Sequence, residues 1–267
     1  MMSKRPTNII TPGTSLGGVY RVDNLLGEGA TGQVYKAEHQ TLGHSVAIKI
    51  LQPSLSDDSQ VRKRFLKAGR IQAQCRHGNI IQVFDLVEAG GFLAMVMEFV
   101  PGRTLAEFIE QVDRPIPEAK GIAVALKILS GLDYLHRRQV IHRDVKPDNI
   151  FLAQSERKVV PKLGDFGISK DSNQEGQTAI GSVLGTPYYL SPEQALGSSD
   201  VDGRSDIYSM GVTLFELFTR TVPYEGADVA EILRAHQEEP VPLITDRRSD
   251  LSPGLQQVVS KAMAKVP

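Results

Sequence analysis

Cysteine and tryptophan are almost missing from this chain of 267 residues. Cys75 is the only cysteine, and tryptophan does not occur. A single thiol excludes an internal disulfide framework and a zinc site built from several cysteines, and it suits a reducing compartment. An excess of charge is missing too, because 30 basic residues face 31 acidic ones and leave a net charge of −1. We therefore expect no nucleic-acid partner and no attraction to an anionic membrane surface.

Long hydrophobic runs are also missing. A membrane-spanning helix needs about 20 apolar residues, whereas the best uncharged apolar run here, residues 207–215, has nine. The N-terminus lacks the charged region and apolar stretch of a signal peptide. Apolar residues make up 41% and charged residues 23% of the chain, which excludes a disordered protein. We expect a soluble cytoplasmic domain, or the soluble piece of a longer protein, with no membrane contact by this segment.

The residue pattern divides the chain into three parts. Residues 1–19 are rich in Pro, Thr, Ser and Gly, which predicts a flexible tail. Residues 20–99 alternate short β-type runs with glycines and contain one helical pattern, which predicts a small lobe of five antiparallel strands and one helix. Residues 100–267 carry mostly helical spacing and predict a larger, mainly helical lobe. The expected class is α+β, with a cleft between the two lobes.

Helices and a long irregular segment are expected in the larger lobe. One helix should follow Pro117, with a buried face formed by apolar residues three or four positions apart: Ile122, Leu126, Leu129, Leu132 and Leu135. The irregular segment covers residues 138–195. A connection of that length inside a compact domain is usually functional.

A glycine-rich segment, Gly-Glu-Gly-Ala-Thr-Gly-Gln-Val at residues 27–34, fits the pattern G-x-G-x-x-G-x-V. Glycines in such a loop let backbone N–H groups reach phosphate oxygens, although glycine turns between strands are common. A dinucleotide-binding fold needs a helix next and an acid about 20 residues on. Here a strand pattern follows, and the residue 20 positions after Gly29 is Lys49. The pattern favours a hairpin over phosphates and disfavours a dinucleotide-dependent oxidoreductase.

Lys49 ends the run Val-Ala-Ile-Lys at residues 46–49. Strand alternation places Ala47 and Lys49 on one face, where Ala47 leaves room for a flat ring and Lys49 can reach a phosphate. From these residues alone, a solvated strand lysine is the favoured interpretation of Lys49.

The most specific motif is His-Arg-Asp-Val-Lys-Pro-Asp-Asn at residues 142–149. The Asp144 carboxylate can orient a hydroxyl and accept its proton, and Lys146 can neutralise a phosphoryl group. The amide oxygen of Asn149 can bind a hard cation. Asp165, in an Asp-Phe-Gly run, supplies a second oxygen ligand. An arrangement of ordinary turn residues is a poor explanation for the whole set.

Together with Ser-Pro-Glu at residues 191–193, these motifs resemble in order and spacing the eukaryotic-like protein serine/threonine kinases, most of all the bacterial branch. The resemblance covers residues 20–267. It implies a bilobal protein-kinase fold, ATP and Mg²⁺ as cofactors, and proteins bearing Ser or Thr as substrates. It leaves open self-association for trans-autophosphorylation.

The resemblance also implies roles for single residues. Asp144 is the expected catalytic base, Asn149 and Asp165 hold Mg²⁺, and Lys49 contacts the α- and β-phosphates. Met97 falls at the gatekeeper position, although it could be an ordinary core residue. The residues implied in nucleotide binding are Gly27, Glu28, Gly29, Gly32, Val34, Ala47, Lys49, Met97, Glu98 and Val100.

Substrate type and regulation follow from the same resemblance. Lys146 and Thr186 indicate a Ser/Thr-directed enzyme, although Thr186 could be an ordinary turn residue. Arg143, directly before the base, implies that a phosphate orders the activation segment at residues 165–193. Thr178 and Ser182 are the expected phosphate acceptors, with mobile polar loop residues as the alternative.

Asp206 opens an apolar helix pattern. It is expected either to cap that helix or, as in the family, to brace the backbone of the catalytic loop, the segment of residues 142–149, and both roles could hold together.

The small-lobe helix departs from the family, which places a glutamate at the position of Ala68 as ion-pair partner of Lys49. Residues 61–76 contain no acid. Two unit charges 4 Å apart attract by about 4 kcal/mol at an effective dielectric constant of 20, and losing half of this would slow transfer roughly 30-fold. We expect ATP–Mg²⁺ binding to persist and phosphoryl transfer to be weakened. The same helix carries six bases: Arg62, Lys63, Arg64, Lys67, Arg70 and Arg76.

Several alternatives stay open. Ala68 could be an engineered change or a natural one, or Asp165 alone could hold Lys49 in a fully active enzyme. A nucleotide-binding pseudokinase or signalling scaffold is the second functional reading. The six bases could bind an acidic partner or a phosphorylated activation segment, or form a solvated face. Glu193 lacks the arginine that pairs with it in the family, so we expect a fragment, truncated in its last helix at Pro267, of a protein that could be membrane-anchored further on.

Overall fold

The computed structural model describes residues 9–29, 31–155, 158–166 and 187–266. The chain forms two compact units. The first unit combines residues 1–76 with residues 81–100, and the second combines residues 77–80 with residues 101–267.

The described residues of the first unit contain a six-stranded antiparallel sheet. Its strand order is β1-β2-β3-β4-β6-β5. Five of its strands are the predicted ones, and β1 is additional. The strands are β1 Ser15–Leu16, β2 Tyr20–Gly29, β3 Gly32–His39, β4 Ser45–Leu51, β5 Val83–Ala89 and β6 Phe92–Glu98.

The described part of the predicted tail is ordered on this sheet. Ser15 pairs with Arg21 and Leu16 with Tyr20. Ile10 and Leu16 are only 4% and 2% exposed. The segment lacks periodicity, which favoured a tail, but its few apolar side chains are enough to bury it against the sheet.

Among its described residues, the first unit has two helices: α1 Pro53–Ser56, which was not predicted, and α2 Ser59–Gln74. The Asp58 side chain caps α2 by accepting hydrogen bonds from two backbone N–H groups at its start. Gly69 explains how closely α2 packs, because a Cβ at this position would lie 2.5 Å from Cδ2 of Leu86. The helix therefore uses glycine, a weak helix former, to approach the sheet.

The second unit consists mainly of helices with a small sheet in the order β7-β8-β9. Its strands are β7 Gly102–Thr104, β8 Ile150–Ser155 and β9 Lys158–Leu163. Its helices in the described residues are α3 Leu105–Gln111, α4 Glu118–His136, α5 Pro192–Ala195, α6 Gly203–Thr219, α7 Val229–Glu238, α8 Ile244–Arg247 and α9 Pro253–Ala262. Helix α6 is buried on almost every side, and α4, α5, α8 and α9 pack against it. In the part of the chain that the structure describes, none of the helices is long and apolar enough to cross a membrane.

Helix α4 begins directly after Pro117, as predicted, but its buried face is rotated from the predicted one. Leu126 is 62% exposed. The residues that α4 buries are Gly121, Ala125, Ile128, Gly131, Leu132 and Leu135.

Candidate active site

Four of the predicted nucleotide-binding residues share one face of the first-unit sheet. Val34 lies opposite Lys49 between β3 and β4, and Ala47 lies opposite Met97 between β4 and β6. Because directly opposed residues point to the same side and strands alternate, Val34, Ala47, Lys49 and Met97 lie on the same face. We call this the Lys49 face.

The glycine-rich segment forms the turn between β2 and β3, where Gly29 pairs with Gly32. A Cβ at Gly32 would lie 1.9 Å from the carbonyl oxygen of Ile50, so close strand packing requires glycine there. A Cβ at Gly27 would meet nothing within 4 Å. The backbone at Gly27 and Gly29 is open to a ligand, and Glu28 between them is exposed.

Glu98 and Val100, two more of the residues implied in nucleotide binding, follow Met97 at the end of the first unit. The backbone N–H of Glu98 donates to the carbonyl of Gln82 over 2.8 Å. The Glu98 carboxylate accepts from the Gln82 N–H over 3.4 Å. Val100 is half-buried.

Ala68 lies on the buried face of α2 and is 8% exposed. The adjacent Gly69 packs against Met95, the residue that pairs with Lys49 in the sheet. This side of α2 therefore covers the Lys49 face, and it presents a methyl group where the family has a glutamate. The basic residues of α2 lie elsewhere: Lys63 and Arg70 are exposed.

In the second unit, His142 fastens the catalytic loop to the start of the Asp-Phe-Gly run. Its ring is fully buried, and burial lowers the pKa of His142, so the ring is neutral. Nε2 donates to the carbonyl of Gly164 over 3.0 Å, and Nδ1 accepts from the Asp144 N–H over 3.3 Å. The ring also contacts Phe166 edge-on, with centroids 4.9 Å apart.

Asp206 braces the catalytic loop from helix α6. Its carboxylate, 1% exposed, accepts hydrogen bonds from the backbone N–H groups of His142 over 2.9 Å and Arg143 over 2.8 Å. Nε2 of His136 lies 2.7 Å from the same carboxylate. Arg143 adopts a left-handed backbone with φ of 65°, a strained conformation that these bonds hold. The other predicted role of Asp206 is wrong, because Asp202 caps the helix.

Asp144, Lys146 and Asn149 form a compact group. The Asn149 amide donates to the Asp144 carbonyl over 2.7 Å and to its carboxylate over 2.9 Å. Nζ of Lys146 lies 3.7 Å from that carboxylate. These contacts fix the position of the Asp144 carboxylate. Its side chain is 22% exposed and is therefore accessible to a substrate.

The two predicted metal ligands come together at one end of the β8–β9 hairpin. The N–H of Gly164, next to Asp165, donates to the carbonyl of Asn149 over 2.9 Å. The amide nitrogen of Asn149 donates to Asp144 and cannot bind a cation, so only its amide oxygen could serve as a metal ligand. Within the described ranges, no group of three or more His, Cys, Asp or Glu side chains could hold a metal. One amide and one carboxylate fit Mg²⁺, which completes its shell with waters and phosphate oxygens.

The sequence did not reveal some residues that support this site. Nε2 of Gln194 donates to the carbonyl of Arg143 over 3.1 Å, which connects α5 to the catalytic loop. The Glu193 carboxylate accepts a hydrogen bond from the Ser205 hydroxyl. The pattern Ser-x-x-Gln at residues 191–194 indicates a capping box, which the structure contains, but not the contact with Arg143. Predicted residues outside the described ranges are Thr178, Ser182 and Thr186.

Comparisons with known proteins agree with this geometry. The family model described as "protein kinase domain" matches residues 20–267. Serine/threonine-protein kinase pkn3 of Myxococcus xanthus is 37% identical, over 93% of this chain and 46% of the relative. Probable serine/threonine-protein kinase PknB of Lactococcus lactis is 36% identical, over 92% of this chain and 39% of the relative. The chain thus spans less than half the length of these relatives.

A solved structure is also similar. The crystal structure of the Mycobacterium tuberculosis PknI kinase domain has a TM-score of 0.75 and 28% sequence identity to this chain. The match covers 97% of this chain and 92% of the PknI chain. The expected fold and the expected family are therefore confirmed.

Proposed function

Because the chain belongs to the protein kinase domain family, we propose that this domain transfers the γ-phosphoryl group of ATP to serine and threonine hydroxyls of protein substrates. The observation that carries the proposal is the group formed by Asp144, Lys146 and Asn149, held by hydrogen bonds yet accessible. The bacterial serine/threonine-protein kinases among its relatives support it.

The nucleotide is assigned to the first unit. The open backbone at Gly27 and Gly29 offers N–H groups to phosphate oxygens. Lys49 adds a positive charge on the same sheet face that Val34, Ala47 and Met97 offer to the adenine ring. Asn149 and Asp165 would hold Mg²⁺, which neutralises phosphate charge when bound.

Phosphoryl transfer is assigned to the catalytic loop. The substrate hydroxyl oxygen bonds to the γ-phosphorus as the bond to the β–γ bridging oxygen breaks, so ADP is the leaving group. Asp144 orients the hydroxyl and takes its proton. Lys146 places its ammonium beside this carboxylate, where it opposes the charge on the transferred group.

Ala68 is the reason to propose a reduced rate. The methyl group at this position, on the α2 face that covers the Lys49 face, cannot orient the lysine ammonium as a carboxylate would. Binding residues on the sheet are unaffected. We therefore assign the loss of rate to the phosphoryl-transfer step.

We also place the activity in the cytoplasm, because the single cysteine is a free, buried thiol.

Ala68 also supports a second candidate, a nucleotide-binding pseudokinase that acts through conformation. The two candidates differ in one measurement: mass spectrometry of the chain and of a generic basic protein after incubation with ATP and Mg²⁺. A kinase adds phosphate to Ser or Thr, and the Asp144→Asn variant, which keeps the nucleotide residues, does not.

The results of this experiment distinguish the kinase from the pseudokinase. Nucleotide binding without phosphate transfer favours the pseudokinase. A chain that neither binds ATP–Mg²⁺ nor transfers phosphate contradicts both candidates. Phosphate on the chain itself, at a rate that rises with protein concentration, would support trans-autophosphorylation between two copies.

A further inference from the structure

The face of the first-unit sheet opposite the Lys49 face is covered by the segment of residues 9–16, which we call the N-terminal strap. Ile10 and Leu16 of the strap are buried, and Ile9 is partly buried. They pack in one apolar cluster with side chains from β2, β3, β4 and β6, among them Tyr35, Ile48, Ile50 and Val96.

The strap also makes polar contacts with strand β3. The backbone N–H of Ile9 donates to Oε1 of Gln33 over 2.8 Å. The backbone N–H of Ile10 donates to the Tyr35 hydroxyl over 3.3 Å, and that hydroxyl donates in turn to Oε1 of Gln33. Gln33 is 1% and Tyr35 0% exposed. Because buried polar groups without partners are costly, the strap backbone stabilises both side chains where they are.

Strand β2 holds the strap as well. The N–H of Gly13 donates to the Val22 carbonyl over 2.7 Å, and the N–H of Val22 donates to the Thr14 carbonyl over 2.9 Å. The strap is therefore bonded to both strands that the glycine-rich turn connects.

Gln33 occupies a special position in this hairpin. It directly follows Gly32, where the turn ends, and directly precedes Val34 of the Lys49 face. Because strand residues alternate, fixing the Gln33 side chain on one face fixes the direction of Val34 on the other. The strap thus contacts the glycine-rich turn from behind, without touching the side that a nucleotide would use.

We propose that the N-terminal strap holds the glycine-rich hairpin in its phosphate-binding form, with Gln33 and Tyr35 as positioning residues that set the affinity for the nucleotide. This inference rests on the proposed function. A hairpin ordered in advance loses less conformational entropy when phosphates bind, which raises affinity without a new contact to the ligand.

The test uses paired variants of the full chain and ADP–Mg²⁺ as the calorimetric probe. Ile9→Pro removes the N–H that binds Gln33 and keeps an apolar side chain, whereas Ile9→Val keeps both. Tyr35→Phe removes the bridging hydroxyl. Tyr20→Phe is its control, because the Tyr20 hydroxyl contacts Asp85 over 3.4 Å and not the strap.

We expect Ile9→Pro and Tyr35→Phe to raise the Kd for ADP–Mg²⁺ and the KM for ATP by about fivefold, as the loss of one ordinary hydrogen bond would. The kcat at saturating ATP should change by less than about twofold, because ground-state binding alone is affected. Both control variants should match the unsubstituted chain. A destabilised fold without a positioning role would change the melting temperature and leave Kd and KM unchanged.

Equal affinities across all four variants of a nucleotide-binding chain overturn the strap proposal alone. A chain that binds nucleotide but transfers no phosphate contradicts the proposed kinase activity, and the calorimetric comparison still decides the role of the strap. An unsubstituted chain that binds no ADP–Mg²⁺ overturns both.

Discussion

At the residue scale, environment separates carboxylates that look alike in the sequence. Asp206 is buried and accepts two backbone hydrogen bonds from the catalytic loop. Asp202 is exposed and caps α6. Asp144 is held by the Asn149 amide and stays accessible. One side-chain type thus serves as brace, cap and candidate base, and the partners decide which.

Replacing the brace should destabilise the fold. Asp206→Asn turns an amide donor toward groups that are themselves donors, so we expect the free energy of unfolding to fall by about 3 kcal/mol. Asp202→Asn, the control, should change it by less than about 0.5 kcal/mol, because asparagine caps helices as well as aspartate. Urea unfolding measures both. Equal losses would show that Asp206 contributes no more than a cap.

At the element scale, small residues mark the closest contacts, and hydrophobic periodicity does not reveal them. A Cβ at Gly121 of α4 would lie 2.4 Å from Cζ of Phe218, so the helix buries its glycines and leaves Leu126 outside. The start of α4 after Pro117 was predictable, because proline and apolar spacing mark it locally. Its rotation was not, because it depends on the helix packed against it.

The same reasoning predicts different outcomes for two glycines of one hairpin. Gly32→Ala places a Cβ against the Ile50 carbonyl and should lower the free energy of unfolding by about 2 kcal/mol or more. Gly27→Ala enters open space and should change it by less than about 0.5 kcal/mol. Chemical denaturation of the two variants checks the difference. Similar stabilities would contradict the close β3–β4 packing.

At the scale of the whole molecule, the sequence indicated the candidate catalytic residues but not the residues that hold them in place. Residues such as Asp144 and Asn149 lie in one short motif, so spacing alone brings them together. His136, Gln194 and the strap residue Ile9 act through contacts with residues distant in sequence. No local pattern encodes such contacts, because they exist only after the elements have packed.

Stability of the second unit should depend on pH through His236. Its ring is fully buried, and burial, with Lys265 nearby, lowers its pKa from 6.5 to about 4. Nδ1 lies 2.9 Å from the Tyr208 hydroxyl. Below pH 6.5 the unfolded chain binds a proton that the folded chain excludes, so stability is complete above this pH and is lost as pH falls toward 4.

We expect this residue to contribute about 3 kcal/mol of pH-dependent unfolding free energy over that interval. His236→Gln should reduce the pH dependence there, while the buried His142 maintains a remaining slope. Urea unfolding at a series of pH values compares the slopes and not the absolute stabilities. Parallel curves for the two chains would mean that His236 takes up its proton at the same pH in the folded and the unfolded chain.

The most direct test compares kcat for phosphoryl transfer between the Ala68→Glu variant and the unsubstituted chain. It asks whether the missing carboxylate at position 68 alone limits the transfer rate of a chain whose catalytic loop is complete. We predict a rise of at least about tenfold, since the restored ion pair need recover only about 1.4 kcal/mol at the transition state. Lys63→Glu places a carboxylate on the exposed side of α2, with an even larger change in net charge, and should leave kcat unchanged. An unchanged kcat in Ala68→Glu would contradict this explanation.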